Sequence, residues 1–386
     1  MRSQIRATSV RTLCPRLYYG DDHHLHRIGD PALVASAYIN RIVTAIPPFD
    51  INQKFLEFAS TKLESNSNAA LFRRLAVRSQ IDHRYSFIPP ELSFGTDGFY
   101  EAGRFPDTTQ RMRFFERHAP ILAAQALDEL GLAELRDEVT HVIVACCTGF
   151  YAPGLDVEIV KRYRLKPGVE RTIIGFMGCY SAISALKLAR HIVRSESLAK
   201  VVIVNLELCT IHLREDMDLE HMLACLLWGD GCSAMLVSAA PEGFEIQGFR
   251  TAVIGDSADQ MVWRLGRDGF DLSLSGQLAH TLSQALPAAA DAVLGGRKVD
   301  DIDLWAVHPG GRSILDAVGA GFRLPANALD FSRSVLRRFG NMSSATVAFV
   351  MRHMLDQQAK GRGCAMAFGP GVVAECMLFE AAGYEA

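Results

Sequence analysis

Cys179 sits in Gly175-Phe176-Met177-Gly178-Cys179-Tyr180-Ser181-Ala182, just ahead of an amphipathic run, Ile183 to Val193. Apolar residues recur there at helical spacing, so the spacing predicts a helix that opens at the cysteine. A helix N-terminus carries about half a positive charge and unpaired N–H groups. Both favour thiolate over thiol, and thiolate is the nucleophile. Gly178, Ser181 and Ala182 are small and leave room for a reactant. The plainer use of such a residue is packing, because cysteine is among the most buried residue types. His308 ends the apolar run Asp303-Leu304-Trp305-Ala306-Val307 and precedes Pro309-Gly310-Gly311. Asn341 stands before a second helical run, Ala345 to Leu355. Imidazole can move a proton, and an amide can donate hydrogen bonds without ionising. Taken singly, His308 could merely end a strand and Asn341 could be a helix N-cap.

The elements around these residues repeat. His141-Val142-Ile143-Val144-Ala145-Cys146-Cys147-Thr148-Gly149 is a buried-strand pattern entering a turn, and an offset of 162 residues lands on Asp303 to Gly311. The same offset carries Gly178-Cys179-Tyr180-Ser181-Ala182 onto Gly340-Asn341-Met342-Ser343-Ser344, and Val201 to Asn205 onto Gly363 to Ala367. Three element pairs at one offset predict two related α/β halves, each closed by a further strand, Cys232 to Val237 and Ala374 to Phe379. Related halves packed about a pseudo-two-fold axis bring equivalent helix starts together. Cys179 and Asn341 are such starts. His308 lies at a strand's C-terminal end, where open α/β sheets place their chemistry. All three are therefore expected in one pocket.

Composition narrows the class. The 386 residues are 49% hydrophobic, enough for a large core, and 40 basic residues against 43 acidic give a net charge of −3. Nothing points to nucleic acid or an anionic membrane. No apolar run reaches the roughly 18 residues a membrane span needs. The nine cysteines are odd in number and form no CxxC pair, which reads as a reduced, cytoplasmic protein without a zinc site. Residues 1–31 form a polar lead with His23, His24 and His26, expected to be a tail. The expected division is this tail, a half at 32–248 bearing Cys179, and a half at 249–386 bearing His308 and Asn341.

The chain resembles the thiolase-fold condensing enzymes, specifically the type III polyketide synthases of the chalcone synthase family. The resemblance spans roughly residues 35–384. It rests on Gly178-Cys179 opening a helix, Trp228-Gly229-Asp230-Gly231, His308-Pro309-Gly310-Gly311, Gly340-Asn341-Met342-Ser343-Ser344 and Phe368-Gly369-Pro370-Gly371. It implies a five-layered αβαβα fold and a homodimer using acyl-CoA and malonyl-CoA, with no cofactor or metal. Cys179 would carry the acyl starter, its thiolate favoured by a neighbouring imidazolium. His308 and Asn341 would stabilise the enolate left by malonyl-CoA decarboxylation. The condensed chain would cyclise to a pyrone, resorcinol or phloroglucinol type of product. The alternative is a ketoacyl synthase III-like enzyme, which condenses once and uses acyl carrier protein.

The resemblance also implies a cavity lined by Cys147, Thr148, Cys209, His212, Trp228, Trp263, Leu272, Ser343, Gly369 and Pro370. Trp228 and Leu272 fall where chalcone synthases carry gatekeeper phenylalanines, and Cys147, Cys209 and His212 where the plant enzymes carry threonines. His212 is read as a hydrogen-bonded wall residue, with a second catalytic base as the alternative. The segment from Asp259 to Phe270 resembles the bacterial alkylpyrone and alkylresorcinol branch, which implies a fatty acyl starter. Bulky Trp228 and His212 favour a small one instead. Arg74 and Arg78 match CoA-contacting positions, whereas Leu71 replaces a lysine and Arg73 stands beside it. Ala152 replaces a methionine that crosses between subunits in the family.

Overall fold

The computed structural model describes residues 35–63, 65–215, 218–254 and 258–381. The tail expected at 1–31 lies outside them.

Two sets of strands share one topology, and the boundary expected at 248/249 falls inside Phe244–Val253, the strand that opens the second set. The first contains β1 (Tyr38–Ala45), β2 (His141–Cys146), β3 (Glu170–Gly175), β4 (Val201–Leu208) and β5 (Asp230–Ser238). The second contains β6 (Phe244–Val253), then a separate hairpin of β7 (Met261–Gly266) and β8 (Gly269–Leu274), then β9 (Leu304–Val307), β10 (Gly361–Gly369) and β11 (Val373–Ala381). In the first half β2 runs parallel to β4, and β4, β5 and β1 follow antiparallel. In the second, β9 runs parallel to β10, and β10, β11 and β6 follow antiparallel. Short pairing of β1 with β6 joins them into the order β9-β10-β11-β6-β1-β5-β4-β2-β3. The repeat fails at β3. The same offset from β3 falls within the helix Asp330–Phe339, so only the first half carries a fifth strand, parallel to β2.

Side-chain alternation along each strand builds the layers. On β4, Val202, Val204 and Leu206 pack with Phe115 and Leu122 of α2 (Thr108–Leu130) and Ile159 of α3 (Leu155–Tyr163). These follow α1 (Asn66–Ser79) in the chain. Val201 and Ile203 face the other way, onto Ile183 and Leu186 of α4 (Ser181–Ser195). On β10, Ala365 and Ala367 share that inner layer, whereas Cys364, Met366 and Phe368 face outward. The outer helices there are α6 (Leu278–Leu294) and α7 (Arg312–Phe322), which follow α5 (Leu219–Cys225). The second inner helix, α9 (Thr346–Asp356), follows α8 (Asp330–Phe339) and contributes Val350 and Met354. The result is helix, sheet, helix, sheet, helix, the expected thiolase-like arrangement. Strands buried on both faces read as continuous apolar runs, which is why β2 and β4 stand out in sequence. Each fully buried Leu or Ile of the inner layer contributes about 1.5–3 kcal/mol relative to exposure.

Candidate active site

Cys179 lies in a 3₁₀ turn, Gly178–Tyr180, that leads into α4. The helix therefore begins just after the cysteine. Gly178 has φ +77°, and a Cβ there would stand 2.3 Å from Cδ of Pro370, so the turn requires glycine. On the other half, Asn341 follows α8 and precedes a 3₁₀ turn, Ser343–Ala345, that leads into α9. Its backbone is clamped by Asn341 N–H donating to Leu227 O at 2.7 Å and by Gly229 N–H donating to Asn341 O at 3.0 Å.

The Asn341 amide is oriented by its neighbours. Ser343 N–H donates to Oδ1 at 2.8 Å, which makes the other atom the donor. Nδ2 donates one hydrogen to Gly310 O at 3.2 Å and has a second to offer. His308 follows β9, with its N–H on Met366 O at 2.7 Å. Its ring is buried, and neither Nδ1 nor Nε2 has a hydrogen-bond partner among the described residues. Buried polar groups are nearly always paired, so two orphaned ring nitrogens mark a place for a reactant. Cys179, His308 and Asn341 all line one cavity of about 680 Å³.

Burial governs the electrostatics. It pushes the Cys179 thiol up to about 12, while hydrogen bonding with Ser343 and Asn341 pulls it down. Cys179 Sγ lies 3.8 Å from Ser343 Oγ. Burial alone brings His308 down to about 3. This departs from the expectation that the helix terminus and an imidazolium hold the cysteine as thiolate. Desolvation penalises either charge taken singly. Moving the thiol proton to His308 creates both charges at once and leaves the net charge of the cavity unchanged.

The comparisons with known proteins converge. Residues 34–241 match the N-terminal domain of chalcone and stilbene synthases, and residues 246–382 match the C-terminal domain. The alpha-pyrone synthesis polyketide synthase-like Pks18 of Mycobacterium tuberculosis is 34% identical over 323 residues, covering 80% of this chain and 81% of that protein. The chain belongs to the chalcone and stilbene synthase family. The bisdemethoxycurcumin synthase of Oryza sativa is 29% identical over 374 residues, covering 89% and 92%. Among solved structures, PKS-I of the brown alga Ectocarpus siliculosus superposes with a TM-score of 0.82 at 25% identity, covering 92% of this chain and 100% of that one. A type III pentaketide synthase of Neurospora crassa shares the fold, with a TM-score of 0.79 at 22% identity over 90% of this chain and 100% of that one.

In this type III polyketide synthase, Cys147, Cys209, Trp228, Trp263, Leu272, Ser343 and Pro370 line the cavity with Cys179. Thr148, His212 and Gly369 do not, and the expectation for them is corrected. Thr148 is buried behind the wall, where its hydroxyl donates to Glu207 Oε2 at 2.7 Å. His212 bonds Thr148 O through Nε2 at 2.7 Å and accepts Phe270 N–H at Nδ1 at 3.1 Å. Burial holds it down to about 3, so it is a neutral wall residue and no base. Gly369 lets the chain pass the Tyr180 ring, which a Cβ would meet at 2.3 Å. Arg74 and Arg78 are exposed on α1, whose Asn68 reaches the cavity, but neither arginine lines it.

Glu207 went unnoticed in the sequence. Its carboxylate is fully buried behind the cavity wall and accepts from Cys147 N–H at 3.0 Å, Thr148 Oγ1 and Ser344 Oγ. It ties the loop after β2 to the turn before α9. Burial raises its pKa, and those hydrogen bonds oppose the rise. An acid inside the apolar run Val201–Leu208 was the available signal. The apolar lining from Leu219, Leu223, Leu227, Leu278 and Ile314 and the acidic Asp218 and Glu220 also went unforeseen. These residues come from α5, α6 and α7 and the residues flanking α5, which only tertiary packing brings together.

Proposed function

We propose that Cys179 carries the acyl starter and that His308 and Asn341 bind the thioester oxygen of malonyl-CoA. In the first step the Cys179 proton passes to His308, the thiolate attacks the acyl-CoA carbonyl, and CoA leaves with that proton. In the second, the malonyl carboxylate departs as CO2 and its bonding electrons form an enolate. The developing oxyanion meets N–H donors from a neutral His308 and from Asn341 Nδ2. The enolate carbon then attacks the Cys179 thioester, the thiolate is expelled, and the chain is two carbons longer on CoA. The single observation carrying this reading is the pair of unpartnered His308 ring nitrogens in the cavity that Cys179 and Asn341 also line. CO2 release and product mass from malonyl-CoA with a panel of acyl-CoAs test it. A strict need for acyl carrier protein and a single extension would favour the ketoacyl synthase III-like alternative.

The starter has two supported readings. The similarity to Pks18, named for alpha-pyrone synthesis, favours closure to a pyrone, and the apolar lining from Leu219, Leu223, Leu278 and Ile314 favours an apolar acyl chain. A second observation favours a short one. His212 stacks on Phe270 with ring centroids 4.4 Å apart, Trp263 stands edge-on to Phe270 at 6.2 Å, and Trp228 edge-on to Trp263 at 5.9 Å. Of these rings Trp228 and Trp263 line the cavity, and their bulk takes up space that a long chain would need. A panel from acetyl-CoA to palmitoyl-CoA separates the two readings.

CoA phosphates are assigned to Arg74 and Arg78, a reading supported by their exposure on the helix whose Asn68 reaches the cavity. A homodimer through the edge strand β3 is supported by exposed Ile173 on that strand and by Phe176 and Met177 just beyond it. The eight described cysteines are free thiols, in keeping with a cytoplasmic setting. No helix of the described residues is long and apolar enough to cross a membrane.

A further inference from the structure

At the opposite end of α4 from Cys179, three side chains converge. His141 and Glu170 are the first residues of β2 and β3 and are paired in register. By strand alternation, His141 shares a face with Ile143 and Ala145, and Glu170 with Ile174, the face that packs on α4. Glu196 is the C-cap of α4. One ligand atom from each of the three lies within 4.8 Å of the others.

The histidine is the informative member. It is 6% exposed, and its ring is held from behind by Thr140 Oγ1, 2.8 Å from Nδ1. That hydroxyl accepts Lys200 N–H at 3.0 Å and lies 3.1 Å from Lys200 O, to which it can donate its only hydrogen. Nδ1 then carries the ring proton and donates to Thr140, leaving the Nε2 lone pair facing the carboxylates. Glu170 Oε2 stands 3.6 Å from Nε2, beyond hydrogen-bond reach. Nearby cations are engaged elsewhere, Lys200 with Glu138 and Arg171 with Asp156. Among the described residues no lysine or arginine pairs with Glu170 or Glu196. Both carboxylates are exposed, Glu170 with 73% of its side chain open to water, and the His141 lone pair faces them from the buried side, so an ion there would reach solvent on one side and a fixed imidazole on the other.

We propose that His141, Glu170 and Glu196 bind a divalent transition-metal ion, Zn²⁺ being the probe. One imidazole and two carboxylates suit such an ion, with water completing the shell. Thr140 supplies the outer hydrogen bond that orients a metal-bound histidine. The cation would also sit at the negative end of the α4 dipole and clip the nucleophile's helix to the starts of β2 and β3. The competing occupant is a proton on Nε2, which would make the group an ordinary ion pair.

The test uses the full-length protein, independently of its condensing activity. Zn²⁺ affinity is measured by competition with a chromophoric chelator, and Co²⁺ is added to report the ligand type. The site predicts one ion per chain, Co²⁺ d–d bands without thiolate charge transfer, loss of binding in His141→Gln and Glu196→Gln, and weakening by about 10–100-fold in Thr140→Val. Wild-type circular dichroism and product formation in His141→Gln would show that the fold survives. Failure of the wild type to bind, equal binding by His141→Gln, or a thiolate charge-transfer band would each overturn the proposal.

Discussion

Asn341→Asp is the sharpest probe of the donor arrangement. The substitution keeps shape and keeps an oxygen where Ser343 N–H donates at 2.8 Å. It removes both Nδ2 hydrogens, the one on Gly310 O at 3.2 Å and the one offered to the cavity. A carboxylate oxygen would then face both Gly310 O and the developing enolate. Loss of one oxyanion donor costs about 10²–10³ in rate, or roughly 2.7–4 kcal/mol, and replacing it by an anion adds repulsion. Decarboxylation of malonyl-CoA should therefore fall by at least about 10²-fold. Acylation of Cys179, which precedes enolate formation, should change much less. Release of labelled CO2 reads the first, and intact-protein mass after a brief acyl-CoA pulse reads the second. Decarboxylation within about tenfold of wild type would refute the role given to Nδ2, because that is under 1.4 kcal/mol.

Acid stability should depend on His212. Its folded pKa is about 3 against an ordinary 6.5, so the unfolded state binds the extra proton between those values. Stability is then present above about pH 6.5 and lost as pH falls toward 3, by up to about 5 kcal/mol. Asp230, raised to about 7 by burial, works oppositely, its contribution fading as pH rises from 3.8 toward 7. Denaturant midpoints across pH 4–7 should thus show a shallower acid loss in His212→Gln than in wild type, and an unchanged difference would contradict the assignment. Trp263→Ala should open the aromatic wall and move starter preference toward longer acyl chains, at a stability cost below the ~3–5 kcal/mol of a fully buried tryptophan because Trp263 is half-buried, read by product mass and thermal melts. Gly369→Ala should lower product formation by pushing the Tyr180 ring and the Cys179 turn, with CoA binding by calorimetry little changed.

The repeat was legible because strands buried on both faces write unbroken apolar runs, as in β2 and β4, and one offset related two strand pairs and a helix start. The convergence of Cys179, His308 and Asn341 followed from that symmetry. The extra strand β3 was not legible, since its exposed residues, Glu170 to Ile173, lack the buried pattern of its neighbours. Thr148, His212 and Gly369 lie off the cavity lining for one shared reason, though the hydrogen-bonded role read for His212 stands. Sequence position puts them beside the cavity, but hydrogen bonds to Glu207, Thr148 and Phe270, and the Tyr180 ring, decide which way the wall faces. Desolvation of Cys179, which opposes the helix terminus, is not visible in sequence.

The identity of the acylated residue tests the central claim most directly. The protein is pulsed with an acyl-CoA, quenched in acid, digested and mapped by mass. Cys147 and Cys209 line the same cavity, so the measurement discriminates among real competitors. The acyl mass is expected on the peptide containing Cys179, and Cys179→Ala should carry none and form no product. An acyl group on Cys147 or Cys209, or polyketide from Cys179→Ala, would contradict the account.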